Sequence, residues 1–213
     1  LGDVYKRQIL TCAILYDILF RSSISFNMLF LEEVWSRNFT NLFIAPLRLR
    51  EIIVSLIFTA LVRTLIGLVP AIILTSPLFG VSILKLGLPL LLLFLSLYIF
   101  GITLGLFVSA GLIRFGPSFE NIAWSSLFLL APLGCIYYPI EILPSFFQLI
   151  AKGLPLVYIF DEARNILIND FVNYDNLKYA YLLNIIYLII GIGLFYRSFL
   201  KARVKGTLIN MGE

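Results

Sequence analysis

The chain has 213 residues, of which 61% are hydrophobic and 13% charged, with a formal net charge of +4 and no histidine. Its mean hydropathy is +1.00. A soluble domain carries about 25% charged residues to clothe its core, so this composition excludes one and implies an all-α, polytopic membrane helix bundle.

The first residues, "LGDVYKRQ", carry no initiator methionine and lack the ordered regions of a signal peptide. They read as a start inside a longer chain. A first membrane span is predicted over residues 9–30, interrupted by Asp17 and Arg21. Four residues apart, these two share a helical face as an ion pair. Such a pair deep in a span faces protein or a polar cavity, whereas near an interface it costs little; both readings stand.

Residues 31–51, "LEEVWSRNFTNLFIAPLRLRE", place Trp35, Phe39, Leu42 and Phe43 at helical spacing among Glu32, Glu33, Arg37 and Asn38. The pattern predicts a short amphipathic helix over about 32–46, ending near Pro46. It would lie in the membrane interface or dock onto a partner. The second span, about 52–74, holds Arg63 near its middle, a costly position unless the side chain reaches protein or water.

The third span, about 86–113, carries Gly101, Gly105 and Ser109 as a small-residue stripe suited to close helix packing. After the connection "RFGPSFEN", a short fourth span covers about 122–138 and ends at Tyr137 and Tyr138. Residues 139–178 hold Glu141, Asp161, Glu162, Asp170 and Asp175 against Lys152, Arg164 and Lys178. A fifth span, about 179–196, runs into Arg197, Lys201, Arg203 and Lys205.

Positive charge marks the cytosolic side. The basic tail is therefore cytosolic, the acidic segment external, and residues 31–51 and 114–121 internal. That alternation puts the start of the chain outside, which is the pattern of a bundle whose first helix is missing. The net charge reads as a membrane anchor and not as a nucleic-acid footprint.

Chemistry-bearing motifs are sparse. Cys12 and Cys135 both lie in apolar runs, so neither a disulfide framework nor a metal site is expected. No glycine-rich loop ends in Gly-Lys-Ser/Thr, so no phosphate cradle of that type is present. The adjacent acids Glu32–Glu33 and Asp161–Glu162 read as solvated surface or register residues, and no catalytic residue is assigned.

Three segments together resemble the permease subunits of type-2 ATP-binding-cassette exporters: "LEEVWSRNFTNLFIAPLRLRE", "YYPIEILPSFFQLIAKGLPLVYIFDEARNIL" and "FLKARVKGTLINMGE". The resemblance covers nearly all of the chain after Ile9. It implies six transmembrane helices, of which this chain carries the last five. It implies that residues 32–46 form a cytosolic coupling helix, with Trp35, Phe39 and Phe43 as apolar anchors and Glu32, Glu33 and Arg37 setting polar register on an ATP-binding subunit.

It further implies that residues 139–164 form an external re-entrant hairpin that bears on gating. The residues concerned are Tyr137, Tyr138, Pro139, Glu141, Pro144, Phe147, Pro155, Tyr158 and Arg164. ATP and Mg2+ would act in the partner subunit, with no cofactor in this chain. A second permease copy, a bacterial inner membrane and membrane lipid complete the setting. Asp17, Arg21 and Arg63 would line the transport path or form a buried network.

Two other classes remain open on the residues alone: an ion-coupled secondary carrier using those three charges, and a non-transporting membrane scaffold. No internal repeat of the kind many carriers show is apparent. The expected cargo is a lipid-linked glycan or a drug-like amphiphile. The aromatics Tyr137, Tyr138, Phe146, Phe147 and Tyr158 lean toward the glycan, although interfacial aromatic belts give the same signal.

Overall fold

The structure is a computed structural model that describes residues 2–36, 48–80, 87–116, 119–169 and 172–205, the side chains of 2–5 and 123 excepted. Seven α-helices are described: α1 (Gly2–Trp35), α2 (Leu49–Phe79), α3 (Leu88–Phe115), α4 (Glu120–Leu133), α5 (Ser145–Lys152), α6 (Pro155–Asn169) and α7 (Tyr174–Lys205). A 3-10 turn, Ile140–Ile142, stands between α4 and α5. Four of the helices, α1, α2, α3 and α7, are long and apolar enough to cross a membrane. The protein is thus an all-α, multi-pass membrane helix bundle.

α1, α2 and α7 extend beyond their predicted spans at both ends and α3 at its C-terminal end, because apolar runs identify the lipid-buried part while the helix continues into flanking residues. The largest difference is at α1. It runs unbroken through Glu32, Glu33 and Val34 to Trp35, so no separate amphipathic helix begins at residue 32. Nothing between Phe30 and Trp35 breaks a helix: there is no Gly or Pro, and the backbone hydrogen bonding continues to the Ser36 N–H, which donates to the Glu32 carbonyl at 3.0 Å. The rest of the predicted amphipathic segment, including Arg37, Phe39 and Phe43, lies outside the described residues.

The predicted fourth span also differs. α4 stops at Leu133, and the chain turns through Gly134 to Tyr138. Cys135 has φ 52°, a left-handed conformation that ends helical propagation. At 14 residues, α4 is about 21 Å long, short of a hydrocarbon core of ~30 Å.

The central helix is α3. On one side it meets α1 across the small-residue stripe. A Cβ on Gly101 would collide with the Ser22 side chain and stand 3.0 Å from the Leu19 carbonyl oxygen, and one on Gly105 would stand 2.8 Å from the Phe26 ring. Ser109 donates to the Asn27 side-chain oxygen at 3.2 Å, buried between the same two helices. Close backbone approach is what small residues supply where the hydrophobic effect cannot drive helices together.

On its other side α3 meets α7. The Asn184 amide donates to the Ser96 carbonyl at 3.0 Å and the Ser96 hydroxyl at 2.8 Å, and Tyr181 donates to the Leu92 carbonyl at 2.8 Å. The buried residues of α7, namely Leu177, Ala180, Asn184, Gly191, Phe195, Phe199 and Ala202, follow spacings of three, four and seven, one face of a helix.

These pairings give direction. Ser22 and Phe26 sit beside Gly101 and Gly105 in the same order, as do Tyr181 and Asn184 beside Leu92 and Ser96, so α1, α3 and α7 run parallel. α2 runs opposite to them along α1. Since α3 ends where α7 ends, the intervening chain must return along the length of the bundle. α4, the turn after it and the α5–α6 hairpin make that return.

Candidate functional site

At about 100° per residue, Asp17, Arg21 and Glu32 fall within roughly 60° of one another on α1, and all three are engaged in ion pairs. Arg21 pairs with Asp17 one turn away. Arg63, from the middle of α2, meets Glu32 with two hydrogen bonds of 3.0 and 2.9 Å. Arg21 also lies across α2 at Gly67, where a Cβ would stand 2.5 Å from its Nη1.

α2 flanks this stripe along its length. At the Asp17–Arg21 end α4 stands on the other side of α1, through a 2.7 Å hydrogen bond from the Tyr16 hydroxyl to the Leu127 carbonyl and contacts of the Phe20 ring with Trp124 and Phe128 at 5.9 and 6.3 Å. The charges are partly open: the Arg63 and Glu32 side chains are 42% and 52% exposed, and those of Arg21 and Asp17 43% and 33%. Two cations and two carboxylates leave the stripe polar but electrically balanced, with no nucleophile–base arrangement among these residues.

Glu33 is half-buried, about 100° round the helix from Glu32, and Trp35, the last residue of α1, is 55% exposed at the helix end. Glu32 is turned to Arg63 and away from that end.

The residues after α4 build a second polar centre. Arg164 is buried and donates to the Cys135 carbonyl at 2.7 Å, with Asp161 at 3.4 Å. It thereby braces the left-handed turn at Cys135 against α6. Tyr138 donates to the Pro132 carbonyl at 2.6 Å and closes the same turn. Pro139 precedes the 3-10 turn that contains Glu141, Pro144 caps α5, and Pro155 opens α6; proline suits these positions because it needs no N–H partner there. Tyr158 donates to the Lys152 carbonyl at 3.1 Å and stacks on Tyr179 at 5.8 Å. Tyr137, Phe146 and Phe147 are exposed.

Glu162 corrects the sequence reading of the Asp161–Glu162 pair as solvated. Adjacent residues on a helix point about 100° apart, so Asp161 faces outward and Glu162 is fully buried. Its carboxylate accepts the Asn173 N–H at 2.7 Å and the Asn176 amide at 3.3 Å. Burial pushes its carboxyl above the usual carboxylate range, and hydrogen bonding from Asn173, Asn176 and Asn165 only partly offsets the effect. Neither Asn173 nor Asn176 carries a sequence signal, since only the docking of α6 on α7 brings them to Glu162.

Among the described residues no three His, Cys, Asp or Glu side chains gather as a metal site, and Cys12 and Cys135 are free and buried. No protein-family model and no curated protein matches this chain.

Proposed function

We propose that the chain is the membrane-spanning permease subunit of an ATP-driven exporter, paired with a second copy and powered by a separate ATP-binding subunit. The observation that carries the reading is the charged stripe of α1 and α2, where Asp17, Arg21, Glu32 and Arg63 stand partly exposed on helices otherwise suited to lipid. Charges in such helices face protein or water and not acyl chains. A stripe of this kind suits one wall of a polar path that a second copy completes.

In this reading α4 and the turn after it make a fifth crossing, and the α5–α6 hairpin forms an external lid. The return of the chain between the parallel helices α3 and α7 supports that topology. The basic end of α7 is cytosolic, at the plasma membrane of a bacterium. The segment from Trp35 to residue 46 couples to the ATP-binding subunit, with Trp35 as an exposed anchor beyond the Glu32–Arg63 pair. ATP and Mg2+ are bound by that partner. The resemblance of the three segments quoted above supports the same assignment, and the exposed aromatics of the hairpin favour a glycan-bearing amphiphile as cargo over a drug.

The test is copurification of the chain with a candidate ATP-binding subunit co-expressed from the same operon, comparing wild type with Trp35→Ala/Phe39→Ala. Loss of the ATPase from a variant that still inserts in the membrane is the expected result. An ATPase that never associates with the wild type removes the exporter reading. The ion-coupled carrier, which the same charged stripe also suits, is then tested by solute flux in vesicles that lack any ATPase.

A further inference from the structure

The end of the bundle opposite the hairpin holds a cleft of about 730 Å³ between the last turns of α3 and α7. Arg114 enters it from α3, while Arg197, Lys201 and Lys205 enter it from α7 at successive spacings of four, with Ser198 between them. The parallel course of α3 and α7 makes their C-termini, and hence these cations, converge. Among the described residues none of the four has a carboxylate within ion-pair distance. Cations do favour a helix C-terminus and the cytosolic side of a membrane. Neither tendency gathers four of them from two helices around one concave space, where their mutual repulsion is unfavourable.

The cleft also has an apolar side. Leu194 lines it at 44% exposure, and Ile190 and Ile186, at 46% and 45%, continue its face toward the far end of α7. Over three helical turns this face of α7 therefore passes from lipid-like to strongly basic as it enters the cleft. That is the polarity profile of a membrane lipid, with acyl chain against Leu194 and Ile190 and headgroup among the basic side chains.

We infer that the α3–α7 cleft is a binding site for the phosphate of an anionic glycerophospholipid, held by Arg114, Arg197, Lys201 and Lys205. Basic pockets between transmembrane helices recognise such headgroups through charge and hydrogen bonding. Bound there, the lipid neutralises the repulsion and clamps the ends of α3 and α7 together. The inference rests on the membrane bundle alone and is independent of the exporter reading.

The test uses the full chain, purified in neutral detergent. Phosphatidylglycerol, phosphatidylcholine and inorganic phosphate are each added, and native mass spectrometry and thermal midpoint are recorded. Phosphatidylglycerol should be retained and should raise the midpoint, while phosphatidylcholine should do neither. Arg197→Ala/Lys201→Ala should weaken its retention roughly thirtyfold, the effect of removing two cations beside an anionic headgroup.

Lys152→Ala/Lys178→Ala, which removes the same charge at the other end, should leave retention unchanged. If the first double variant does not fold, Lys201→Gln alone should show a smaller loss in the same direction. Equal retention of phosphatidylcholine, or equal weakening by the two double variants, overturns the site. Protection by inorganic phosphate at the same concentration as the lipid overturns the lipid assignment in favour of a soluble anion.

Discussion

Arg63, at the midpoint of α2, holds both carboxylate oxygens of Glu32, one turn from the end of α1, at 3.0 and 2.9 Å. The pair joins two antiparallel helices through groups that lipid would not tolerate singly. A charge at the centre of a membrane helix costs about 2.5–3.5 kcal/mol on insertion scales, whereas an exposed pair in water contributes only ~0.2–1 kcal/mol.

Breaking this pair should therefore be felt mainly through the charge left behind. Arg63→Met strands Glu32, and Glu32→Leu strands Arg63. Each single variant should lower folded yield and thermal midpoint in detergent, and the exchange Glu32→Arg/Arg63→Glu should recover most of the loss. A double exchange no better than the singles would show that position, and not pairing, decides the effect.

Two helical glycines should respond in opposite ways to the same substitution. Gly101→Ala drives a methyl into Ser22 and against the Leu19 backbone, an overpacking that costs ~1–3 kcal/mol. Gly193 has nothing within 4 Å of an added Cβ, so Gly193→Ala should be neutral or stabilising, by up to about 1 kcal/mol. Thermal midpoints of the two purified variants decide the point; equal behaviour would contradict the α1–α3 packing described above.

Asn184 supplies the polar contact between α3 and α7. Asn184→Leu removes two hydrogen bonds to Ser96, each interhelical bond of this kind contributing about 0.6 kcal/mol and at most ~1.7. The expected loss is modest, and Ser96→Ala made in the Asn184→Leu background should add little to it. Full additivity of the two substitutions in a double-mutant cycle would refute the pairing.

Glu162 gives the fold a pH dependence with a defined sign. Its folded pKa is raised from 4.5 by burial, so the neutral form suits the fold better. The corresponding stability is fully present below the unfolded value and is lost as pH rises through the folded one. Asp161 adds to the rise, while Asn173, Asn176 and Asn165 oppose it, and the buried Arg164 stands two residues away. Glu162→Gln cannot ionise, so its thermal midpoint relative to wild type should climb as pH rises from 4.5 through the folded pKa. A relative midpoint that falls over that range would mean that the fold favours the carboxylate.

The class of the protein was legible in its composition, and so were most of its long helices. Lipid rewards any sufficiently long apolar run with a helix, because the backbone has no other way to satisfy its polar groups there. The stripe of Gly101, Gly105 and Ser109 was legible for a similar reason: small residues at spacings of four have one main use in a membrane helix. The Asp17–Arg21 pair could also be read, since helical spacing alone brings the two together.

Helix faces were not legible in the same way. α7 buries Phe195 and Phe199 and leaves Ile185, Ile189 and Leu194 exposed; in water that exposed side would be polar, but lipid lets both sides be apolar and erases the pattern. The partner of Arg63, the burial of Glu162 beside an exposed Asp161, and the convergence of Arg114 with Arg197, Lys201 and Lys205 depend on how helices distant in sequence are placed. What the sequence determined by itself was membrane residence and helical secondary structure, which follow from local apolarity and length. Which charges meet, and around what space, was decided only when α1, α3 and α7 packed in parallel, because an ion pair or a cleft is a relation between helices that no single run of residues contains.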